Sequence, residues 1–262
     1  MMIFGITTAG IVPLRREKSE RSVLASQALF GEMMEVTREE GRWCRVRMLH
    51  DGMEGWTRRE DLVGVDEGFV RRAMEGRPFV TRDMFSIVMR EGDWAGQLVP
   101  AGSVLPLYEG ETGYFRVGDD AYRLVGSLPE AGTGNAREAI ARYALMYYNV
   151  PYVAGGRSPW GIDNAGLVQM VYRLAGVGVP RQLARWAAEG QTLSFLEEAL
   201  PGDVVLFGDE SGVVTHAGVL WEAGRVIHAS GRVRVDKIDH HGIFNEATKR
   251  YTHALKLIKR FL

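Results

Sequence analysis

The sequence predicts an α+β protein in which two regions of short β-strands precede a domain built from helices and then a sheet. Strand-like runs separated by glycine and Asp-Gly turns fill residues 11–128, and a turn-rich segment follows at 129–135. Beyond it, two segments with helical spacing come before several runs that alternate with period two. Helices followed by a sheet are typical of the α+β class.

Size and charge limit the possible partners. A chain of 262 residues with 46% hydrophobic residues accommodates one large domain or two to three small ones. Its formal charge of -1 gives no overall attraction to nucleic acid. We expect no membrane span, and no signal peptide is visible. The expected location is cytoplasmic for the chain as it stands, and periplasmic or extracellular if a signal was trimmed.

The first strand region predicts a small β-barrel. Its runs lie at 12–14, 26–32, 33–37, 43–49 and 55–57. The order Leu-Phe-Gly-Glu at 29–32, Trp-Cys-Arg-Val at 43–46 and Asp-Gly-Met-Glu-Gly-Trp at 51–56 resembles a bacterial SH3 domain, which we place at 1–66. A looser repeat of the same rhythm predicts a second, diverged SH3-like domain at 67–130. Cys44 lies in an alternating run and is expected to be a small packing residue.

The last region, 131–262, is predicted to form one domain. Asn135 is positioned to cap a helix over 136–148 with one apolar face, and a second helix should run from about 164 to 175, ended by Gly176 and Gly178. Strands are predicted at 203–207, 216–221, 225–229, 232–236 and 251–259.

An ordered set of motifs in this region carries a resemblance. The motifs are Gly-Ile-Asp-Asn-Ala-Gly-Leu-Val-Gln at 161–169, Val-Pro-Arg at 179–181, Pro-Gly-Asp-Val-Val at 201–205, Thr-His-Ala-Gly-Val at 215–219 and Val-Ile-His-Ala at 226–229. In this order they resemble the NlpC-type, papain-like cell-wall cysteine peptidases that carry N-terminal bacterial SH3 domains. The usual pattern Asp-Cys-Ser-Gly is changed here, because Asn164 and Ala165 replace the Cys-Ser pair.

The resemblance implies a role for each matching position. In the family a cysteine at a helix N-terminus attacks an amide, a histidine takes its proton and a third polar residue orients that histidine. The helix end and a neighbouring imidazolium lower the thiol pKa, which makes the thiolate available. The matching residues are Asn164 at the nucleophile position, where it is inactive, His216 as the base and His228 as the orienting residue.

The resemblance also implies a ligand and its binding residues. Asp163 is expected to receive the free amine of a peptide, because charge-assisted hydrogen bonds suit that task. Ala165, Tyr152 and Arg181 are the other implied substrate-binding positions. The implied ligand is a cell-wall peptide of the L-Ala-γ-D-Glu-diamino acid type. No cofactor is expected, and no metal, because no third ligand is suitably spaced.

Each of these residues also has a structural explanation. Asn164 is a good helix N-cap residue. His216 and His228 lie on apolar strands, where a lone histidine is often a hydrogen-bonded core group. Asp163 can be a solvated loop residue, and Tyr152 can be a core aromatic.

The replacement at position 164 decides the functional prediction. Asparagine is a neutral amide without an ionisable proton, so His216 cannot convert it into a nucleophile. The first hypothesis is a catalytically degenerate homologue of γ-D-glutamyl-L-diamino acid endopeptidases, which binds murein peptides with a free N-terminal L-Ala, or a protein partner, without cleavage. One alternative is an active hydrolase that uses a substitute nucleophile or a water activated by His216. Another is a structural or interaction module with a filled cleft.

Overall fold

The chain separates into two compact units, 1–131 and 132–262, in a computed structural model that describes residues 2–75, 78–126 and 135–262. The predicted linker at 129–134 lies outside the described residues. Asn135 is described and caps the first helix of the second unit, as predicted. Among the described residues, no helix has both the length and the apolar character needed to cross a lipid bilayer.

The first unit begins with a seven-stranded antiparallel sheet. Its strands are β1 (Phe4–Thr7), β2 (Ile11–Arg15), β3 (Leu24–Leu29), β4 (Met33–Glu40), β5 (Trp43–Met48), β6 (Glu54–Arg58) and β7 (Leu62–Val65), in the spatial order β3-β2-β6-β5-β4-β1-β7. Residues from β2, β3, β4, β5 and β7 meet in one interior cluster that includes Leu14, Val36 and Cys44. The sheet must therefore wrap around this core, with alternate side chains pointing inward.

The five strand runs predicted between residues 12 and 57 all fall on strands. Two further strands, β1 and β7, were not predicted. They are the first and the last strand of this sheet in the sequence, and they pair with each other. The turn between β3 and β4 contains Gly31 at φ +71°, where an added Cβ would lie 2.0 Å from Val104 O. Only glycine fits such a position without a backbone shift.

The rest of the first unit starts with a helix that was not predicted. This is α1 (Glu67–Met74), and Asp66 caps it by accepting a hydrogen bond from Phe69 N at 2.6 Å. The strands that follow are β8 (Phe79–Val80), β9 (Phe85–Arg90), β10 (Gln97–Pro100), β11 (Val104–Leu105), β12 (Tyr114–Val117) and β13 (Asp120–Val125). They form a four-stranded sheet, β10-β9-β13-β12, and a pair, β11-β8. A second SH3-like barrel stays a prediction.

The two parts of the first unit share a hydrophobic core. Phe30, from the turn after β3, packs edge-on against Phe115 of β12 and Tyr122 of β13, with ring centroids 6.0 and 5.7 Å apart. Phe69 of α1 joins the same buried cluster. Residues before and after the boundary predicted at residue 66 therefore contribute to the same core. That domain boundary stays a prediction.

The second unit places helices before a sheet, as predicted. Its elements are α2 (Ala136–Met146), β14 (Arg157–Ser158), β15 (Gly161–Ile162), α3 (Asn164–Leu174), α4 (Leu183–Ala188), β16 (Gln191–Leu193), β17 (Val204–Gly208), β18 (Val214–Glu222), β19 (Arg225–Ser230), β20 (Arg232–Asp239), β21 (Gly242–Asn245) and β22 (Arg250–Arg260). Both predicted helices and all five predicted strands are present. Helix α4 and the short strands β14, β15, β16 and β21 were not predicted.

Six of these strands close into a ring. Strands β17 to β21 pair in sequence order, and β22 pairs with β21 through its first half and with β17 through its second half. Every neighbouring pair is antiparallel. The interior holds an apolar cluster that includes Phe207, Leu220, Val226 and Ile238. Helix α3, buried along nearly its whole length, packs on β18 and β19.

A buried carboxylate links helix α2 to this barrel. Asp203, just before β17, is fully buried and accepts hydrogen bonds from Arg137 of α2 and from both Nε and Nη2 of Arg260 in β22, at 2.7 to 3.0 Å. Leu200 N also donates to it. Burial alone would raise the pKa of Asp203, but these donors lower it below its ordinary value.

Candidate functional site

The start of α3 positions residue 164. The N-cap is Asp163, whose Oδ1 accepts a hydrogen bond from Gly166 N at 2.7 Å, so the suggestion that Asn164 is the cap was wrong. Asp163 has the extended backbone of a cap residue, whereas Asn164 is the first residue of the helix. The side chain of Asn164 is therefore not used for capping and can make a contact elsewhere.

Three strands of the barrel carry polar residues on one continuous face. Because side chains alternate along a strand, His216 shares a face with Leu220, His228 with Val226, and Asp236 with Ile238. Those apolar partners belong to the barrel core. The polar residues therefore continue the core toward one end of the barrel and are nearly as buried as it is.

A chain of hydrogen bonds links α3 to β20 through these residues. Asn164 Nδ2 lies 3.0 Å from His216 Nδ1, and His216 Nε2 lies 2.9 Å from His228 Nδ1. His228 Nε2 lies 2.9 Å from Asp236 Oδ2. Arg234 closes the chain by donating to Asp236 Oδ1 at 2.8 Å. The structure thus brings together Asn164, His216 and His228, the three residues assigned to the reaction centre.

The surroundings of His216, in the middle of this hydrogen-bond chain, favour the uncharged form of its imidazole. Burial, together with the nearby His253 and His228, lowers the pKa of His216 to about 2. For Asp236, burial raises the pKa, but hydrogen bonds from His228 and Arg234 outweigh it and the net pKa lies below the ordinary value. Asp236 is therefore an ionised acceptor near neutral pH, and His216 is a neutral ring.

A third histidine covers the site. His253 of β22 stacks on His216 with ring centroids 4.0 Å apart and planes inclined by 27°. Phe207 of β17 lies on another side of the same ring, with centroids 5.8 Å apart. Burial, reinforced by His228, lowers the pKa of His253 despite the opposing influence of Asp236. Between them, His253 and Phe207 restrict the rotation of the His216 imidazole.

A second cluster adjoins the helix start. Asp163 Oδ2 accepts hydrogen bonds from Gly155 N at 2.8 Å and from Arg181 Nη2 at 2.7 Å. Tyr152 is 40% exposed, and burial, followed by the charge of Asp163, raises its pKa. Ala165 is buried beside Asn164. Asp163 and Arg181 thus form an ion pair near Tyr152, and the amine-binding role of Asp163 stays a prediction.

Three residues of the site were not predicted, namely Asp236, Arg234 and His253. The sequence contained a sign of each, because each is a polar residue at a position of its strand where the alternation of side chains places the residue inward. His253 has the same parity as Leu255, and Asp236 has the same parity as Ile238. Their convergence on two histidines depends on strand pairing, which the sequence alone does not specify.

The one thiol of the chain lies in the first unit. Cys44 is fully buried in the core inside the wrapped sheet, in agreement with its prediction as a packing residue. Burial raises the pKa of its thiol, which keeps sulfur in the unreactive protonated form. Across the described residues, no cluster of three or more His, Cys, Asp or Glu side chains has the arrangement of a metal site.

A helix N-terminus facing a histidine on a β-barrel, with a polar residue behind that histidine, is the arrangement of a papain-like peptidase domain. Residues 149–254 match the sequence profile of the NlpC/P60 family, and residues 14–62 match that of the bacterial dipeptidyl-peptidase SH3 domain. The second unit therefore contains an NlpC/P60 domain, and the first unit contains a bacterial SH3 domain.

Known proteins support the domain assignment and the fold. A γ-D-glutamyl-L-lysine dipeptidyl-peptidase of Bacillus subtilis is 25% identical over 221 residues, which span 79% of this chain and 73% of that protein. A probable endopeptidase of Mycobacterium tuberculosis is 34% identical over 123 residues, 46% of this chain and 31% of that protein. The crystal structure of an NlpC/P60 family protein from Bacillus cereus shares the fold with a TM-score of 0.80 at 19% identity, and the alignment covers 99% of both chains.

Proposed function

We propose that this protein binds cell-wall peptides of the L-Ala-γ-D-Glu-diamino acid type without cleaving them. The observation that carries the proposal is the carboxamide of Asn164, hydrogen-bonded to His216 where a nucleophile would stand. The family supplies the ligand class, because the Bacillus subtilis relative is a γ-D-glutamyl-L-lysine dipeptidyl-peptidase. Mycobacterial relatives are described as probable endopeptidases.

The chemistry of residue 164 argues against covalent catalysis. An amide nitrogen has no usable lone pair and no proton that an imidazole can remove, so no acyl-enzyme can form on it. Sulfur is not available from Cys44, which is enclosed in the core of the first unit with its pKa raised. Both facts support a binding role over a hydrolase that uses a substitute nucleophile.

Water activation by His216 is also disfavoured. General-base catalysis is most efficient when the pKa of the base lies near the working pH. A pKa of about 2 leaves His216 a weak base, and its Nδ1 is already occupied by Asn164. A hydrolytic water would have to displace that hydrogen bond and then lose its proton to a poor acceptor.

The experiment uses the full chain and the tripeptide L-Ala-γ-D-Glu-diaminopimelate. Calorimetry measures binding, and mass spectrometry follows release of the L-Ala-γ-D-Glu dipeptide. We expect binding without release. The double variant Asn164→Cys with Ala165→Ser, which restores the family pattern, should release dipeptide, because a thiol beside His216 can pass its proton to the ring and the resulting thiolate stabilises the imidazolium.

The matched control adds His216→Gln to the double variant, and we expect it to abolish the regained release. Turnover by the unaltered protein at an ordinary enzymatic rate would refute the proposal. Failure of the unaltered protein to bind the tripeptide would also refute it and would return weight to a structural or protein-binding module.

A further inference from the structure

With neutral histidines, the hydrogen bonds from Asn164 to Asp236 have one direction that pairs every donor with an acceptor. Asp236 is a carboxylate that only accepts hydrogen bonds, so His228 must carry its proton on Nε2, which lies 2.9 Å from Asp236 Oδ2. A neutral His228 then offers a lone pair at Nδ1, and His216 donates to it from Nε2 at 2.9 Å. His216 in turn offers a lone pair at Nδ1, to which Asn164 Nδ2 donates at 3.0 Å.

The charges around Asp236 support this direction. Arg234 donates to Asp236 Oδ1 and lies 2.7 Å from its Oδ2 through Nε, so the carboxylate charge is already matched by a guanidinium. Among the described residues linked by these hydrogen bonds, from Asn164 to Arg234, no second negative charge would balance an imidazolium. Reversal of the chain would turn the Nε2 lone pair of His228 toward the carboxylate, which is repulsive.

The direction of these hydrogen bonds fixes the orientation of the Asn164 carboxamide. If Nδ2 must face His216, then Oδ1 faces away from it. Within the described residues, no donor is bonded to this Oδ1, and Asn164 keeps a small exposed surface at 9%. The oxygen lies at the start of α3, at the position that the family resemblance assigns to the nucleophile.

We infer that Asp236, acting through His228 and His216, orients Asn164 so that its Oδ1 accepts a hydrogen bond from a backbone N–H of the bound peptide. The inference rests on the proposed function, because it names the group of the peptide that residue 164 recognises. Asp236 and Arg234 are positioning residues in this scheme. Residue 164 thus discriminates for a ligand with an amide N–H and against an ester of the same shape, which lacks that donor.

The first experiment reads the proton positions directly. Two-bond ¹H–¹⁵N correlation spectra of the full chain, labelled with ¹⁵N in its histidines, show which ring nitrogen carries hydrogen. We expect protonated Nε2 and bare Nδ1 for His216 and His228. Asp236→Asn should change the tautomer of His228, whereas Asp239→Asn, on the same strand but bonded to Tyr251, should leave it unchanged. A proton on Nδ1 of His216 in the unaltered protein would overturn the inference.

The second experiment measures binding of the tripeptide to two variants of similar shape. Asn164→Leu removes the acceptor and should weaken binding about 2- to 13-fold, the range of one neutral hydrogen bond. Asn164→Asp keeps an acceptor and should bind at least as tightly as the unaltered protein, because a hydrogen bond to a charged acceptor is stronger than one to a neutral acceptor. Equal affinities of Asn164→Leu and the unaltered protein would overturn the inference.

The two experiments separate this inference from the proposed function. If the unaltered protein binds no tripeptide, the proposed function fails and the acceptor role of Oδ1 fails with it, whereas the spectra still decide the orientation of the carboxamide. If the tripeptide binds but the spectra show the reversed chain, the proposed function stands and the inference fails. The Asn164 variants leave Asp236 in place, so the inference is testable even if Asp236→Asn does not fold.

Discussion

Acidification should destabilise the second unit through His216. Burial, with His253 and His228 nearby, holds the pKa of His216 at about 2 in the folded protein, against 6.5 for an ordinary histidine. Below pH 6.5 the unfolded chain therefore binds a proton that the folded chain does not bind. The stabilising contribution is complete above pH 6.5, and it falls steadily as the pH drops from 6.5 toward 2.

The magnitude follows from proton linkage. One proton taken up only by the unfolded state costs about 1.4 kcal/mol per pH unit, so His216 should lower the free energy of unfolding by about 2 kcal/mol between pH 7.5 and pH 5.0. The lowered pKa of His253 acts in the same direction. The groups that face His216 are Asn164 from α3, Phe207 from β17, His228 from β19 and His253 from β22, and none is a carboxylate.

The assay is urea unfolding of the full chain at pH 7.5 and pH 5.0, with hydrogen exchange of peptides from β18 and β19 to assign the loss to the second unit. The comparison variant is His216→Gln, which keeps a polar side chain but does not titrate. The unaltered protein should lose about 2 kcal/mol more than the variant over this interval. Equal losses in the two proteins would refute the claim that His216 is kept neutral by burial.

Two further substitutions test the cores of the units. Phe30→Ala removes a ring shared by the two parts of the first unit and should lower the free energy of unfolding in urea by about 3 to 5 kcal/mol. Its control is Phe195→Ala, at a residue that is 65% exposed, which should change the free energy of unfolding by less than about 0.5 kcal/mol. Asp203→Asn should cost about 3 to 5 kcal/mol because it leaves Arg260 without its buried carboxylate. Glu210→Gln, at an exposed residue, is its control, and equal effects of the two substitutions would contradict the role given to Asp203.

Elements with strong local signals were predictable. Helix α2 had a capping residue and one apolar face, and the strands of the barrel had clear alternation or continuous apolar runs. Helix α1 was missed although Asp66 caps it, because its few residues interrupt a region of strand-like rhythm. Strands β1 and β7 were missed because each is four residues long and gains its stability from pairing with a partner more than fifty residues away.

The site was predictable only where its residues lay in ordered motifs. Asn164, His216 and His228 were found in this way, and the structure places them in contact. Asp236 and His253 lie in strands whose pairing decides which side chains meet, and a shift of one residue would turn either side chain to the opposite face. Sequence patterns showed that these strands exist but did not specify their register.

The hydrogen-bond chain also explains why asparagine suits position 164. His216 presents a buried lone pair there, and a buried acceptor left without a donor costs about 1 to 3 kcal/mol. Alanine would leave the lone pair unpaired, and aspartate would require His216 to hold a proton against its burial. Asparagine supplies a neutral donor and keeps the histidines in their order. Asparagine at position 164 therefore preserves the stability of the site, so the remaining residues can stay in the arrangement that a peptide would meet under the proposed function.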